Sequence, residues 1–312
     1  MSSSGVGRAF AFSVAFIAVF GPGVAHAQQD GPRGYLLAPK GTHAAVLASA
    51  FVDANQTPDH GTVIVDSDIA SVVSLYLYAH PLTISGNFAS IFVAQPIGIV
   101  DGSVDIGGQP TSNTSGGFGD LAFGTMIGLV GMPALPIEEY LTYKPGFSLA
   151  TVAAVSAPTG RYDETEIFNL GQNRWVFRAS LPMIYAIGKS FADPKLTNFE
   201  LIPAVSFFTA NNDPYGAEKQ TQKPLFQVEA HVTRNLSNKV WVALDAGYFY
   251  GAESSTNGVS DDNTRMNVNL GGTVSVSFSP AVQLQLSYAR SIASNDYGMK
   301  GQGARTLLVC GF

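Results

Sequence analysis

The histidines and acidic residues are the side chains that acid–base or metal chemistry would need. After residue 27 the chain has four histidines, far apart in sequence: His43, His60, His80 and His231. None of them belongs to a paired His or Cys spacing of the kind that binds metals. His231 lies two residues from Glu229 and from Thr233, on the same face of a predicted strand. We expect a polar network on that face rather than a catalytic base, and we expect no metal and no cofactor.

Nucleophilic catalysis would need an activated Ser or Cys. Cys310 is the only cysteine, and its neighbours Leu307–Val309 are apolar, a setting that does not activate a thiol. No G-x-S-x-G motif occurs. Gly117–Ala122 loosely matches a dinucleotide fingerprint, but no strand–helix unit surrounds it. The sequence therefore predicts a protein that is not an enzyme.

The elements that must position the polar side chains alternate between apolar and polar residues with a period of two, which is typical of strands. Phe226–Thr233 is the clearest run. About twelve such runs occur: 43–53, 64–79, 83–97, 118–130, 139–157, 174–188, 198–209, 224–235, 240–251, 264–278, 281–292 and 303–312. Many exceed the usual strand of about 5–6 residues. They reach the roughly 9–11 residues of a tilted membrane-spanning strand.

The connections between these runs alternate in length. The expected short ones are 80–82, 131–138, 189–197, 236–239 and 279–280. The longer, polar ones are 54–63, 98–117, 158–173, 210–223, 252–263 and 293–302. Short turns on one side and long loops on the other are typical of bacterial outer-membrane barrels. We predict an all-β fold, a closed antiparallel transmembrane β-barrel of about 12 strands, with both termini periplasmic.

Composition agrees with a surface that faces lipid. Only 13% of the residues are charged, 11% are aromatic, and glycine occurs 33 times. The net charge of −6 argues against nucleic acid as a partner. One parity of the sixth run should face lipid: Trp175, Phe177, Leu181, Met183, Tyr185 and Ile187. The expected partner of this face is outer-membrane lipid.

The opposite parity should point into the lumen. The candidates for the lumen lining and solute path are Arg178, Glu229, His231, Trp241, Asp245, Phe249, Asn267, Asn269, Gln283 and Gln285. Trp241 and Phe249 are the candidates for an apolar path. Twelve strands lie between small filled barrels and open 16–18-stranded porins. We therefore expect a narrow lumen, partly closed by side chains or by residues 28–40.

The two chain ends carry targeting features. Residues 1–27 have a basic start, an apolar run and the small-residue site Ala25–Ala27, as in a signal peptide cleaved after Ala27. Residues 28–40 are rich in Gly and Pro and should be extended and able to enter the barrel, which would comprise 41–312. Phe312 ends an alternating strand and resembles the signal that outer-membrane assembly machinery binds.

The middle of the chain resembles a known family. Ala157–Asp163 reads APTGRYD and Asn169–Trp175 reads NLGQNRW, with Gly117–Leu121, Leu37–Thr42 and Lys223–Gln227 in support. These motifs resemble the outer-membrane transporter family named for the meta-pathway of phenol degradation. The resemblance covers most of 34–312. It implies a β-barrel associated with uptake of aromatic or other hydrophobic small molecules.

The family motif should form a loop at the end of the fifth run, because Pro158 and Gly160 stop a strand. Its residues are Pro158, Thr159, Gly160, Arg161, Tyr162, Asp163, Asn169, Gly171, Asn173 and Trp175. We expect Arg161 and Arg174 to pair with Asp163 or Glu164. The loop either pins two strands together or forms a gate for solute entry.

Three functions fit these patterns. The favoured one is an outer-membrane channel for passive uptake of small hydrophobic or aromatic compounds. The second is a structural or surface-interaction barrel with a plugged lumen. The third is an outer-membrane lipid-modifying enzyme, which would need a Ser beside a His at the lipid boundary.

Overall fold

The computed structural model describes residues 30–57 and 62–312. His60, the segment 1–29 and the expected cleavage site after Ala27 lie outside the described residues. Within them the chain forms seventeen strands and one short helix, α1 Ile137–Thr142. The strands are β1 Ala44–Ala54, β2 Asp68–Ile84, β3 Asn87–Ile106, β4 Gln109–Phe118, β5 Ala122–Val130, β6 Phe147–Ser156, β7 Val176–Ser180, β8 Met183–Ile187, β9 Thr197–Phe208, β10 Gln220–Gln222, β11 Leu225–Asn235, β12 Val240–Gly251, β13 Ser254–Thr256, β14 Val259–Ser260, β15 Arg265–Ser279, β16 Val282–Ser294 and β17 Gly301–Gly311.

The strands close into one antiparallel barrel. Each wall strand pairs with its neighbour along the chain, and β17 returns to pair with β1 from Ala44↔Gly311 to Ala54↔Gly301. The wall has twelve positions, because β7 and β8 share one, β4 pairs only with β3, and β10, β13 and β14 form a separate three-stranded sheet. In the described residues, closure leaves the twelve-position wall without an unpaired edge, as hydrocarbon requires. The predicted twelve-stranded barrel is confirmed.

One wall position is interrupted by a proline. β7 and β8 both pair with β6 and β9, and Leu181–Pro182 separates them. Pro182 has no N–H and cannot continue the ladder. Its carbonyl accepts from Ala150 N at 3.0 Å, and Leu181 N donates to Pro203 O at 3.0 Å. The wall therefore stays hydrogen-bonded across the break.

The predicted loop at 98–117 is wrong, because a hairpin fills this range. β3 runs on to Ile106 and β4 returns from Gln109. Gly107 and Gly108 have φ of 62° and 84°, which suits a two-residue hairpin turn. Most side chains of β4 are polar or small. The alternation that marks a half-buried strand is therefore missing here.

Two expected short connections also differ. The turn predicted at 80–82 lies at Ser85–Gly86, because His80, Pro81 and Leu82 pair with β3 inside β2. Ser85 and Gly86 have φ of 50° and 82°. The strand predicted from 139 begins only at Phe147, and the connection before it contains α1. Proline at the helix start and acidic residues in its first turn favour that helix.

The outer surface is an apolar belt. Large side chains on the outward parity are exposed, among them Trp175, Phe177, Leu181, Tyr185 and Ile187, as predicted for this wall position. Met183 shares the parity and is half-buried. Within the described residues, no helix is long and apolar enough to cross a bilayer.

Candidate functional site

The barrel interior has a polar half. The inward side chains of β9, β11, β12, β15 and β16 are mostly acids, amides and hydroxyls. Nine of the ten predicted lumen residues are buried, and the tenth, Arg178, is half-buried with its side chain 10% exposed. The nine are Glu229, His231, Trp241, Asp245, Phe249, Asn267, Asn269, Gln283 and Gln285. Their place in a solute path stays a prediction.

The other half of the interior is apolar, and sequence reasoning missed it. Inward side chains of β1, β2, β3, β5 and β6 form one buried cluster: Ala44, Val46, Ala48, Ala50, Val73, Leu75, Leu77, Phe88, Phe92, Met126, Ala150, Val152 and Ala154. The available signal was that the first part of β1, Ala44–Ala48, is apolar at both parities, so one apolar face must turn inward. Trp241 and Phe249, the predicted apolar path, lie in the other half.

The N-terminal segment fills the space between the halves. Residues 30–39 are buried, and we call them the plug. Turns at 32–35 replace the extended form that the composition predicted. Gly31 and Arg33 have φ of 86° and 63°, which bends the chain within the barrel. Lys40, just after the plug, is exposed.

Two buried carboxylates hold the plug by its backbone. Asp30 N donates to Glu229 Oε2 at 2.6 Å. Arg33 N donates to both oxygens of Glu200, at 2.9 and 3.2 Å. Such charge-assisted bonds are the stronger kind. The plug is therefore fixed to β9 and β11 at two points.

An ion pair adds a third attachment. Arg178 Nη2 lies 3.0 Å from Asp30 Oδ2 and 3.7 Å from Glu229 Oε1. Tyr35 donates its phenol O–H to the same Asp30 oxygen. The ring of Tyr35 and the side chains of Leu36, Leu37 and Ala38 belong to the apolar cluster. The polar side chain of Asp30 in the plug thus contacts the polar half of the interior, and the apolar residues of the plug contact the apolar half.

His231 sits in a buried network on the polar half. Its Nδ1 lies 2.8 Å from Asp245 Oδ1, and its Nε2 lies 3.5 Å from Glu229 Oε2. Thr273 donates its hydroxyl to Asp245 Oδ2 at 2.7 Å. Both oxygens of the Asp245 carboxylate are thus hydrogen-bonded, which offsets the cost of burying it inside the barrel.

The family motif folds around one carboxylate. Asp120 is buried, and its two oxygens accept from Gly160 N at 2.8 Å and Gln172 N at 2.9 Å. A Cβ on Gly160 would lie 2.7 Å from Gly119 C, and one on Gly171 would lie 2.8 Å from Gly160 C. Both glycines are therefore needed for backbones to approach Asp120 this closely.

Side chains of the motif pin the loop to neighbouring connections. Leu121 N donates to Thr159 Oγ1 at 3.0 Å, Tyr162 Oη donates to Asp213 O at 2.9 Å, and Asn173 Nδ2 donates to Asn211 Oδ1 at 2.9 Å. Trp175 N donates to Thr209 Oγ1 at 3.0 Å. The loop is thus tied both to the Asp120 strand connection and to the connection after β9.

The predicted arginine pairing in this loop is wrong. Arg161 pairs with Glu166 at 3.1 Å, and Arg174 lies over the ring of Phe208 at 4.6 Å. Asp163 is used locally instead: its Oδ1 accepts from the backbone N–H and hydroxyl of Thr165, and these bonds lower the pKa of Asp163. Asn169 closes the same turn by accepting from Asp163 N at 2.9 Å.

The motif loop also reaches into the interior. Phe168 and Leu170 are buried and belong to the apolar cluster. A Cβ on Gly102 would lie 2.5 Å from the Phe168 ring, so glycine in β3 makes room for it. At the short-turn end, Tyr140 of α1 stacks on Phe191 at 5.1 Å, and both join the cluster. The apolar cluster therefore runs between the two ends of the barrel.

Replacing Asp120 by Ala should loosen the motif loop. Two backbone N–H groups would lose a charged acceptor, each such bond being worth about 1.5–3 kcal/mol. We expect the free energy of unfolding to fall by about 3 kcal/mol and proteolysis within 157–175 to accelerate. The matched control is Glu164→Ala, at an exposed site of the same loop. Equal cleavage rates in the two variants would contradict this role of Asp120.

Glu253, between β12 and β13, should remain ionised in acid. Its carboxylate accepts from Lys223, Ser260 and Thr264, each at 2.8 Å, and these bonds lower its pKa from 4.5 to about 2. Because the folded pKa is the lower one, the stabilisation is present above pH 4.5 and is lost as the pH falls towards 2. Carboxyl-carbon NMR titration measures it, and Lys223→Gln should move the midpoint upward. A midpoint near 4.5 in the unmodified chain would refute the assignment.

His43 and His80, the other histidines in the described residues, make side-chain contacts with each other, and His43 also contacts Tyr78. His43 Nδ1 lies 2.7 Å from Tyr78 Oη, and its ring lies 4.8 Å from that of His80. In 30–57 and 62–312, no hydrogen bond joins a Ser to a His. The same residues hold no group of three or more His, Cys, Asp or Glu placed for a metal ion.

Comparisons with known proteins agree with the fold. Residues 52–306 match a family described as "Putative MetA-pathway of phenol degradation". An outer membrane channel from Pseudomonas putida F1 has a TM-score of 0.75 at 20% identity, covering 90% of this chain and 99% of that one. The beta domain of the Bordetella autotransporter BrkA has a TM-score of 0.51 at 12% identity, covering 86% and 99%. No curated protein matches the sequence. The predicted family is thus confirmed: this chain, an outer-membrane-type β-barrel, belongs to the family described for the MetA pathway of phenol degradation.

Proposed function

We propose that the protein is an outer-membrane channel for passive uptake of small hydrophobic or aromatic compounds. The apolar cluster is the observation that carries the proposal. It begins at Tyr140 and Phe191 and extends to Phe168 and Leu170 at the opposite end. An apolar solute that leaves water for such a wall gives up no hydrogen bonds. A sugar would lose the hydrogen bonds that its hydroxyl groups make with water, at a cost in free energy.

Solute passage requires the plug to move. Its residues 35–38 occupy the apolar half, and Pro39–Gly41 joins them to the wall. Gly41 has φ of 81°, and Lys40 N donates to Leu135 O at 2.7 Å. This junction lies at the short-turn end of the barrel. With both termini periplasmic, the plug would withdraw towards the periplasm.

The comparisons support a channel more than another role. A solved barrel of similar fold, from Pseudomonas putida F1, is described as an outer membrane channel, and the family description refers to phenol degradation. The same proposal includes cleavage after Ala27, an outer-membrane location and recognition of Phe312 by the assembly machinery. The exposed apolar belt suits contact with outer-membrane lipid.

A structural barrel with a plugged lumen is the second candidate. The Arg178–Asp30 ion pair and the two carboxylates that bind the plug favour it. A permanently closed barrel would pass no solute, so permeation separates the two.

The test uses vesicles with a lipopolysaccharide outer leaflet, which slows apolar solutes. Purified protein should accelerate entry of benzyl alcohol at least fivefold and leave entry of glucose unchanged. Equal rates with and without protein would reject the channel in favour of the plugged structural barrel.

A further inference from the structure

The side chain of Arg33 occupies a small cage inside the barrel. Arg33 is buried, and its guanidinium carbon lies 4.5 Å from the centre of the Trp241 ring. Its Nε donates to Thr233 Oγ1 at 3.0 Å. Thr233 is itself fixed by Asn198, whose amide donates to the same oxygen at 2.9 Å. An aromatic face with a neighbouring hydroxyl is a typical arrangement for holding an organic cation.

Glu200 adds a buried carboxylate to the cage. It accepts the backbone N–H of Arg33 at 2.9 Å, so its contact is with the main chain of Arg33 rather than with the guanidinium. Within the described residues, Arg33 Nη1 and Nη2 have no hydrogen-bond partner. The cage therefore selects its occupant by positive charge and planar shape more than by the positions of its hydrogen-bond donors.

Arg33 reaches this cage at a conformational cost. Its φ of 63° is unusual for a residue with a side chain. Strained residues of this kind persist where surrounding contacts compensate for them. Cage residues come from three different wall strands: Glu200 from β9, Thr233 from β11 and Trp241 from β12. The pocket is thus a property of the wall, and Arg33 is its occupant.

We propose that this cage of Glu200, Thr233 and Trp241 is a binding subsite for organic cations, and that Arg33 is its internal ligand. A solute with a planar amidinium or guanidinium group on an aromatic ring fits it. The cation takes the place of Arg33, and the ring extends towards the apolar half. The subsite is independent of whether neutral solutes cross the barrel.

The test removes the Arg33 side chain from the cage and compares the binding of two probes that differ in charge. Benzamidinium is a cation, and benzamide is a neutral molecule of nearly the same shape. In Arg33→Ala, calorimetric titration should give benzamidinium at least tenfold tighter binding than benzamide. The unmodified protein, with its cage filled, should bind benzamidinium at least fivefold more weakly than Arg33→Ala does.

Substitutions of two tryptophans test whether benzamidinium binds inside the cage. Arg33→Ala combined with Trp241→Leu should lose the preference for the cation, whereas Arg33→Ala combined with Trp175→Leu should keep it, because Trp175 lies on the outer surface. Arg33→Gln serves if Arg33→Ala does not fold. Equal affinity for the two probes, or a preference that survives Trp241→Leu, would overturn the proposal. The permeation of benzyl alcohol is a separate experiment, and its outcome does not decide whether the cage binds cations.

Discussion

Deleting residues 30–38 should raise the ion conductance of the barrel in planar bilayers at least tenfold. These residues occupy the space between the polar and apolar halves. Their removal leaves the carboxylates of Glu200 and Glu229 facing water. A wall of such polar groups admits water and ions, so a continuous aqueous path should form.

The matched control for the deletion is Lys40→Ala. Lys40 follows the plug directly and is exposed, and its backbone bond to Leu135 does not involve its side chain. Its conductance should equal that of the unmodified protein. Circular dichroism confirms that each variant retains its strands. A folded deletion variant with unchanged conductance would mean that the plug does not block the lumen.

Replacing Glu229 by Ala should be the most destabilising single change in the interior. Asp30 N would lose its acceptor, and Arg178 would lose one of its two acidic neighbours. Breaking a buried charge pair typically costs about 3–5 kcal/mol, because the remaining charge is left uncompensated. We expect a fall of that size in the free energy of unfolding, measured by denaturant titration.

Two further variants separate charge from packing at this position. Glu229→Gln keeps the volume and one acceptor oxygen, so its loss should be less than half that of Glu229→Ala. Glu138→Ala removes an exposed glutamate of α1 and should change the free energy of unfolding by less than 0.5 kcal/mol. Similar losses for Glu229→Ala and Glu138→Ala would contradict the role assigned to Glu229.

Alternation predicted the wall well where one face meets lipid and the other is polar. The runs 240–251 and 224–235 correspond to β12 Val240–Gly251 and β11 Leu225–Asn235. In these strands, lipid and a polar interior impose opposite requirements on successive residues. The hairpin of β3 and β4 lies beyond that constraint, so its strands could not be recognised by alternation.

Helix α1 and the plug show what local patterns leave out. Ile137–Thr142 is a single short helix, too brief for a clear helical period. The bond between Asp30 and Glu229 joins residues 199 apart in sequence. It depends on closure of the whole barrel, which composition near Asp30 does not specify. Entry of the segment could be anticipated from its glycines and prolines, but its partners could not.

The candidate interior was only half predictable for a physical reason. Polar inward residues such as Asn267 and Gln283 stand out against apolar neighbours. An inward residue such as Val46 does not, because Ala45 and Leu47 beside it are also apolar. The apolar route therefore becomes visible only when strand neighbours and burial are known.

Hydrogen exchange of the plug during solute entry tests most directly whether this barrel is a channel closed by its own N-terminal segment. Mass spectrometry would follow the amides of residues 30–38 in lipopolysaccharide-coated vesicles with and without benzyl alcohol. We expect at least fivefold faster exchange of the plug when solute is crossing, and unchanged exchange in β1. Solute entry with no change in plug exchange would contradict it.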